Sequence, residues 1–217
     1  MHLKFAGLGH RYSETEIWLF RQLDTIFAPR TMTAFVGPSG SGKSTLLDIA
    51  GQVLSPAEGQ VFLCKDDDSL SPPVTSDFGW VLQSNTVLAG RTALDNAALG
   101  LLASGMSHRQ ARKRARTVLA ELGLEHRLGA PVSELSGGEV QRVTIARCLL
   151  SPAPIILADE PTGQLDYAST RTVVAALRSA AEAGKIILLA THDPVVAREC
   201  DRSLVIPIVN ETRHHDH

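Results

Sequence analysis

The chain has 217 residues, 44% of them apolar, with 21 Lys and Arg against 23 Asp and Glu and a formal net charge of −2. That is enough to bury one substantial core, and the near-neutral, mixed charge excludes the strongly basic footprint of a dedicated nucleic-acid binder. The longest apolar runs fall far short of the roughly 20 residues a membrane-spanning helix needs, and the start Met1-His2-Leu3-Lys4-Phe5 lacks a secretory leader, so a cytoplasmic protein with one catalytic domain is expected.

The first thirty residues read as an antiparallel β lobe, with strand candidates at Leu3-Lys4-Phe5 and Ile17-Trp18-Leu19-Phe20 around the polar turn Ser13 to Glu16. From Met32 onward, short β-branched or apolar runs alternate with helical patterns: Met32 to Val36, Gln60 to Leu63, Gly79 to Leu82, Ile155 to Ala158, Ile186 to Ala190 and Leu204 to Ile208. This alternation predicts an α/β fold with a mainly parallel, buried sheet. The breaker-rich stretch Asp66 to Pro73 reads as a surface loop.

After the run ending at Val36 comes Gly37-Pro38-Ser39-Gly40-Ser41-Gly42-Lys43-Ser44-Thr45, followed by the helical pattern through Ile49. A strand, a glycine loop and a helix in that order form a P-loop. Glycines let successive N–H groups converge, and with the positive helix end they make a concave site for phosphate oxygens. Lys43 is placed to reach the β- and γ-phosphates of ATP, and Ser44 to hold Mg²⁺.

Between Thr92 and Gly129 no strand signal occurs, and a helical insertion is expected over about 92–149. Ser107 and Gln110 form a capping box ahead of Ala111, Ala115, Val118, Leu119 and Leu122 at helical spacing. The basic stretch His108 to Arg116 carries its alanines on that same stripe, so it reads as a solvated helix face. Farther on, Ser136-Gly137-Gly138-Glu139 precedes another helical pattern and forms a second candidate anion site.

The apolar run Ile155 to Ala158 delivers Asp159 and Glu160 at its carboxyl end, where the ligand crevices of α/β sheets open. Two adjacent carboxylates divide the work: Asp159 for the Mg²⁺ shell and Glu160 to orient and deprotonate water. Cys64, Cys148 and Cys200 are odd in number and unpaired in spacing, which predicts reduced packing thiols. The tail Arg213 to His217 reads as polar coil.

Leu135 to Glu139 with the helix it opens, set some twenty residues ahead of Asp159-Glu160, resembles the signature of ABC transporter ATP-binding subunits. The resemblance covers nearly the whole chain and implies a catalytic core over about 1–91 and 150–209, the helical region at 92–149, and a tail at 210–217. It further implies that Tyr12 stacks on adenine, that Gln83 senses Mg²⁺ and the attacking water, and that His192 contacts the γ-phosphate. Ser136, Gly137, Gly138 and Glu139 of one copy would close over ATP bound to a second copy, and Asp166 would cross the seam. The implied partners are that second copy and an integral membrane permease.

Ala158 to Gly163 with Leu165-Asp166 looks like the branch that holds macrolide and peptide exporters, lipoprotein-releasing ATPases, haem exporters and the cell-division ATPase. Gln164 and Glu139 depart from the usual asparagine and glutamine. A transport motor and a regulator of an extracytoplasmic hydrolase both fit, and no residue selects a cargo.

Overall fold

The structure, a computed structural model, describes residues 1–13, 17–65, 69–82 and 87–206. Its strands form two sheets. The first is antiparallel and orders β1 (His2–His10), β2 (Phe20–Phe27), β4 (Glu58–Cys64) and the short β5 (Leu70–Ser71) as β2-β1-β4-β5. The second is parallel and also contains β3 (Thr31–Val36), β6 (Phe78–Val81), β7 (Ile155–Asp159), β8 (Ile186–Ala190) and β9 (Arg202–Val205), in the order β6-β7-β8-β3-β9.

The parallel strands are apolar along their length because both faces are covered, and their residues alternate between two cores. Ile156, Ala158, Ile187 and Leu189 face the cluster shared with α2 (Ala93–Ala103), α3 (His108–Glu121), α4 (Gly137–Leu150) and α5 (Tyr167–Glu182). Ile155, Leu157, Ile186 and Leu188 face the opposite cluster, with Leu46, Leu47 and Ile49 of α1 (Lys43–Ala50) and with Leu3, Phe5 and Phe27 of the antiparallel sheet. Phe5 meets Phe27 edge-on at 4.8 Å, and Phe27 meets Phe35 of β3 at 5.9 Å. The antiparallel sheet and the parallel sheet therefore share one hydrophobic interior.

Several sequence expectations shift. Ile17-Trp18 is not strand: β2 begins at Phe20 and runs on to Phe27, while Trp18 is buried between the guanidinium groups of Arg11 and Arg21, 4.7 and 4.5 Å from its ring. Gln60 to Leu63 belongs to the antiparallel sheet, paired with β1. The expected loop after Leu63 contains β5; residues 66–68 lie outside the described set, as do 207 and 208 of the last expected strand.

The helices of the 93–150 region form as the pattern predicts, with Ala111, Ala115 and Leu119 buried and Arg109, Lys113, Arg114 and Arg116 outward. Ser107 precedes α3, yet its hydroxyl bonds Gln110 Oε1 at 2.9 Å and makes no bond to the helix backbone. Cys148 is buried in the core, where burial pushes its thiol up to about 12, as a packing side chain requires.

Helix α1 lies close against the sheet at its carboxyl end. A Cβ on Gly51, which follows α1, would fall 2.1 Å from Trp80 Cζ2 and 2.7 Å from Leu157 Cδ1. Gly51→Ala is expected to lower the melting temperature by roughly 3–10 °C, the cost of overpacking a tight contact in a domain of this size; thermal unfolding followed by circular dichroism measures it.

Candidate functional site

Hydrogen-bonded registers bring four strand ends to one edge. Phe35 pairs with Ala190, and Ala190 with Asp159. Beyond the ladders, Glu160 N–H donates to Ala190 O at 3.0 Å, Thr191 N–H to Phe35 O at 3.1 Å and Ile206 N–H to Val36 O at 2.8 Å. The glycine loop, the Asp159-Glu160 pair and His192 therefore leave the sheet side by side, at the edge where ligand crevices form.

Gly37 to Gly42 makes the turn from β3 into α1. Gly42 has φ 93° and caps the helix with no side-chain hydrogen bond, a left-handed conformation that other residues adopt only at a cost. The first N–H groups of α1 thus have neither an intrahelical partner nor a capping side chain, the arrangement that attracts an anion. Lys43 is only 8% exposed, and its ammonium lies over the loop, donating to Gly37 O and Pro38 O at 3.0 Å each. Ser44 is exposed, Thr45 is buried, and Thr45 Oγ1 shares a 2.7 Å hydrogen bond with the Tyr12 hydroxyl.

Glu160 follows the last residue of β7 with φ 46°, a left-handed bend that costs a non-glycine residue about 1–3 kcal/mol unless its surroundings hold it there. Three contacts hold it: its N–H on Ala190 O, its carbonyl accepting from Gly163 N–H at 3.2 Å, and its carboxylate Oε1 against His192 Nδ1 at 2.9 Å. The Glu160 side chain is 18% exposed and that of His192 72%, so the imidazole is the solvent-facing partner. Half-buried Asp159 reaches Asp48 of α1 electrostatically: burial raises the Asp48 pKa, and the Asp159 charge adds to the rise.

Lys43, Ser44, Thr45, Glu160 and His192 line one cleft of about 560 Å³ together with Tyr12 and Leu19, within the range of small-molecule sites; Gly37, Pro38, Ser41 and Asp159 are not among its lining residues. The cleft gathers Ser39, Gly40, Gly42, Lys43, Ser44 and Thr45 from the predicted set, together with Tyr12, Glu160 and His192. Gln83 lies outside the described residues. Among the described residues no three His, Cys, Asp or Glu side chains form a cage for a metal. One carboxylate and one hydroxyl beside a phosphate cradle fit Mg²⁺, which keeps water and phosphate oxygens among its ligands.

Ser136, Gly137, Gly138, Glu139 and Asp166 are not among the residues that line this cleft. Ser136 caps α4: its Oγ accepts from Glu139 N–H at 3.3 Å, and Glu139 Oε2 accepts from Ser136 N–H at 2.8 Å. The Arg127 guanidinium forks onto the same carboxylate at 2.8 and 3.3 Å. The Glu139 side chain is therefore committed to the cap, while a Cβ on Gly137 or Gly138 would meet only Gln164 or Leu165. Asp166 caps α5, accepting from Ser169 N–H at 2.7 Å, and that bond lowers its pKa.

Sequence reasoning missed Gln141 and Gln164, which line the cleft, and Arg127, which anchors Glu139. Gln141 Nε2 donates to Pro161 O at 3.2 Å, tying α4 to the turn after Glu160. Gln164 stands in the stretch read as a branch motif and Gln141 in the helix that the signature opens, but no chemical role followed from either position, so the fold alone reveals these contacts and that of Arg127.

A statistical model of the family described as ABC transporter matches residues 20–163. The chain is 39% identical over 212 residues to the macrolide export ATP-binding/permease protein MacB of Chromobacterium violaceum, covering 94% of the chain but 33% of that protein. It is 39% identical over 213 residues to the lipoprotein-releasing system ATP-binding protein LolD of Granulibacter bethesdensis, covering 95% of the chain and 93% of that protein. The chain thus spans about a third of the length of the MacB relative and nearly all of LolD. Its fold matches the bacterial ABC transporter cassette MJ0796, solved as a dimer and as a dimer bound to ADP and Pi after hydrolysis, each with TM-score 0.81 over 94% of both chains at 33% and 32% identity.

The Arg127 fork and the Ser136 N–H hold the Glu139 carboxyl at about 2, below its ordinary 4.5. The folded state binds this proton more weakly than the unfolded state, so the contribution is complete above about pH 4.5 and is lost as the pH falls toward 2. The stability gap between the parent chain and Glu139→Gln is expected to narrow steadily from pH 5 downward in urea unfolding titrations; a gap constant with pH would detach the cap from this charge.

Proposed function

The chain belongs to the ABC transporter family of ATPases, and we propose that it is the motor of an exporter-type assembly, binding Mg-ATP between two copies of itself beneath a separate membrane permease. The observation that carries this reading is Glu160: a strained, mostly buried carboxylate held by His192 in the same cleft as the uncapped start of α1.

In this reading the α1 N–H groups and the loop amides take the β- and γ-phosphates. Lys43 exchanges its two carbonyl acceptors for phosphate oxygens. Ser44 and Asp159 would hold Mg²⁺, which would supply positive charge to offset the negative charge of the phosphates. Glu160 orients the attacking water and accepts its proton, while His192, beside it, fixes the carboxylate rotamer and reaches the γ-phosphate. Gln83, which follows β6 in the sequence, would sense Mg²⁺ and the attacking water, and Tyr12 stacks on the base.

Ser136 and its two glycines stand at the start of α4 and do not line the chain's own cleft, which supports their use on the ATP of a second copy, with Asp166 at the seam. A Ser hydroxyl that accepts from the helix keeps its proton to donate outward. Among the described residues no helix is long and apolar enough to cross a membrane, so coupling to transport falls to a permease, and we place the chain against it at the cytoplasmic face. The likeness to a macrolide export protein and a lipoprotein-releasing ATP-binding protein supports export or extraction of a hydrophobic drug or lipoprotein cargo, and the branch resemblance of Ala158 to Asp166 adds peptide and haem.

Glu160→Gln is expected to reduce ATP turnover by about 10²-fold or more while ATP binding persists and the chain accumulates as a dimer on size-exclusion chromatography with light scattering. Lys43→Ala is expected to weaken nucleotide binding itself. Turnover of Glu160→Gln at the parent rate would remove Glu160 from the role of base.

A further inference from the structure

His10 ends β1 and is 5% exposed, yet among the described residues neither ring nitrogen has a hydrogen-bond partner. Buried polar side-chain atoms are satisfied in the large majority of cases, so this ring is kept for something other than its nitrogens. Burial lowers its pKa, which leaves a neutral aromatic ring near pH 7. Two neighbours use that ring. Tyr12 meets it edge-on, with centroids 5.1 Å apart and planes at 89°, and Phe20, its cross-strand partner, lies at 6.5 Å. Leu19 N–H donates to the His10 carbonyl at 2.9 Å and fixes the backbone beneath it.

Tyr12 is 65% exposed, and an exposed aromatic side chain ordinarily exchanges between rotamers. Here it is held from both ends. Its ring packs on His10, and its hydroxyl bonds Thr45 Oγ1, a buried group in the first turn of α1. The two contacts span the antiparallel sheet and the P-loop, so the ring is set relative to the phosphate cradle.

We propose that His10 and Thr45 are positioning residues that preset the Tyr12 ring as the platform for the nucleotide base. This rests on Tyr12 being the base-stacking residue, as read above. A side chain ordered in advance loses less conformational freedom when the base stacks on it. His10 therefore governs affinity for the base without lining the cleft, with an effect of about 2- to 10-fold, the size of one aromatic pair.

The test titrates the full chain calorimetrically with ATP and with inorganic tripolyphosphate, which carries phosphates and no base. His10→Ala is expected to weaken ATP binding about 2- to 10-fold and leave tripolyphosphate binding within about twofold. Equal weakening of both ligands, or of neither, overturns the proposal. His10→Phe retains a ring and removes only partnerless nitrogens, so it is expected to fold and to bind ATP as the parent chain does; a loss matching that of the alanine variant overturns it. Tyr12→Phe, which removes the bond to Thr45, is expected to show the same split between the two ligands, and an unchanged ATP affinity removes Thr45 from the proposal. Tyr12→Ala separates the levels: parent-like ATP affinity there defeats the platform reading itself, whereas weakened ATP affinity there with an unchanged one in His10→Ala defeats only the role of His10.

Discussion

The site depends on one helix start that has no side chain to satisfy it. Helices α2, α4 and α5 begin on Thr92, Ser136 and Asp166, and α6 (Pro194–Arg198) on Asp193, each accepting a backbone N–H. Helix α3 starts on Ser107 with its hydroxyl turned to Gln110, and α1 begins on Gly42, which has no side chain to offer. Only at α1 does the uncapped start, with the positive end of the dipole behind it, border the cleft, and Lys43 adds a cation that, among the described residues, donates to the neutral carbonyls of Gly37 and Pro38. An anion completes this local structure, and the parallel sheet, by aligning the ends of β3, β7 and β8, decides which carboxylate and which imidazole face it.

The strain at Glu160 follows from the same alignment. A residue continuing β7 in extended conformation would carry its side chain to the face of the sheet shared by Ile156 and Ala158; with the left-handed bend the carboxylate lines the cleft instead. The bend is retained because Ala190 O takes the Glu160 N–H, Gly163 closes the following turn and His192 takes the carboxylate. All three belong to segments leaving the same sheet edge. The strain and the contacts that compensate it are thus parts of one construction, and the two negative groups, Asp159 and Glu160, face different neighbours: α1 with Asp48 for one, His192 for the other.

Much of this was legible in the sequence, for identifiable reasons. The P-loop, the acidic pair and the signature are contiguous stretches whose flanking periodicity tells strand from helix, so their placement on β3, β7 and α4 could be read directly. The antiparallel sheet was legible only in outline. Phe20 to Phe27 alternates buried ends with exposed, charged positions, and Gln60 to Leu63 has the composition of any strand; only its long-range pairing with β1 assigns it to the lobe. Contacts made by single residues far apart in sequence left no trace: Gln141 on Pro161, Arg127 on Glu139, Tyr12 on Thr45. The Ser107 and Gln110 pattern shows the converse, since two side chains with capping chemistry bond each other and leave the helix backbone aside.

The two ends of the cleft are built by different means, and this determines how they respond to change. At the phosphate end the donors are backbone amides, fixed by the sheet and insensitive to most substitutions that preserve the loop. Tyr12, just past the end of β1, borders the cleft with Leu19; in the proposed reading it takes the base, and its position relative to α1 depends on how the antiparallel sheet is joined to the core. The joint is substantial: Phe5, Phe27 and Phe35 pack in sequence across the boundary, and Arg202 of β9 donates to Ile26 O at 2.9 Å and Thr25 Oγ1 at 3.1 Å on β2. The signature helix α4 reaches the cleft instead through Gln141 and the Gln164-Leu165 turn, and its apolar side lies in the other core cluster. The antiparallel sheet and α1 therefore pack on one face of the parallel sheet, while α4 packs on its other face, against Ile156, Ala158, Ile187 and Leu189, so the two helix starts, on α1 and on α4, are held by opposite faces of one sheet.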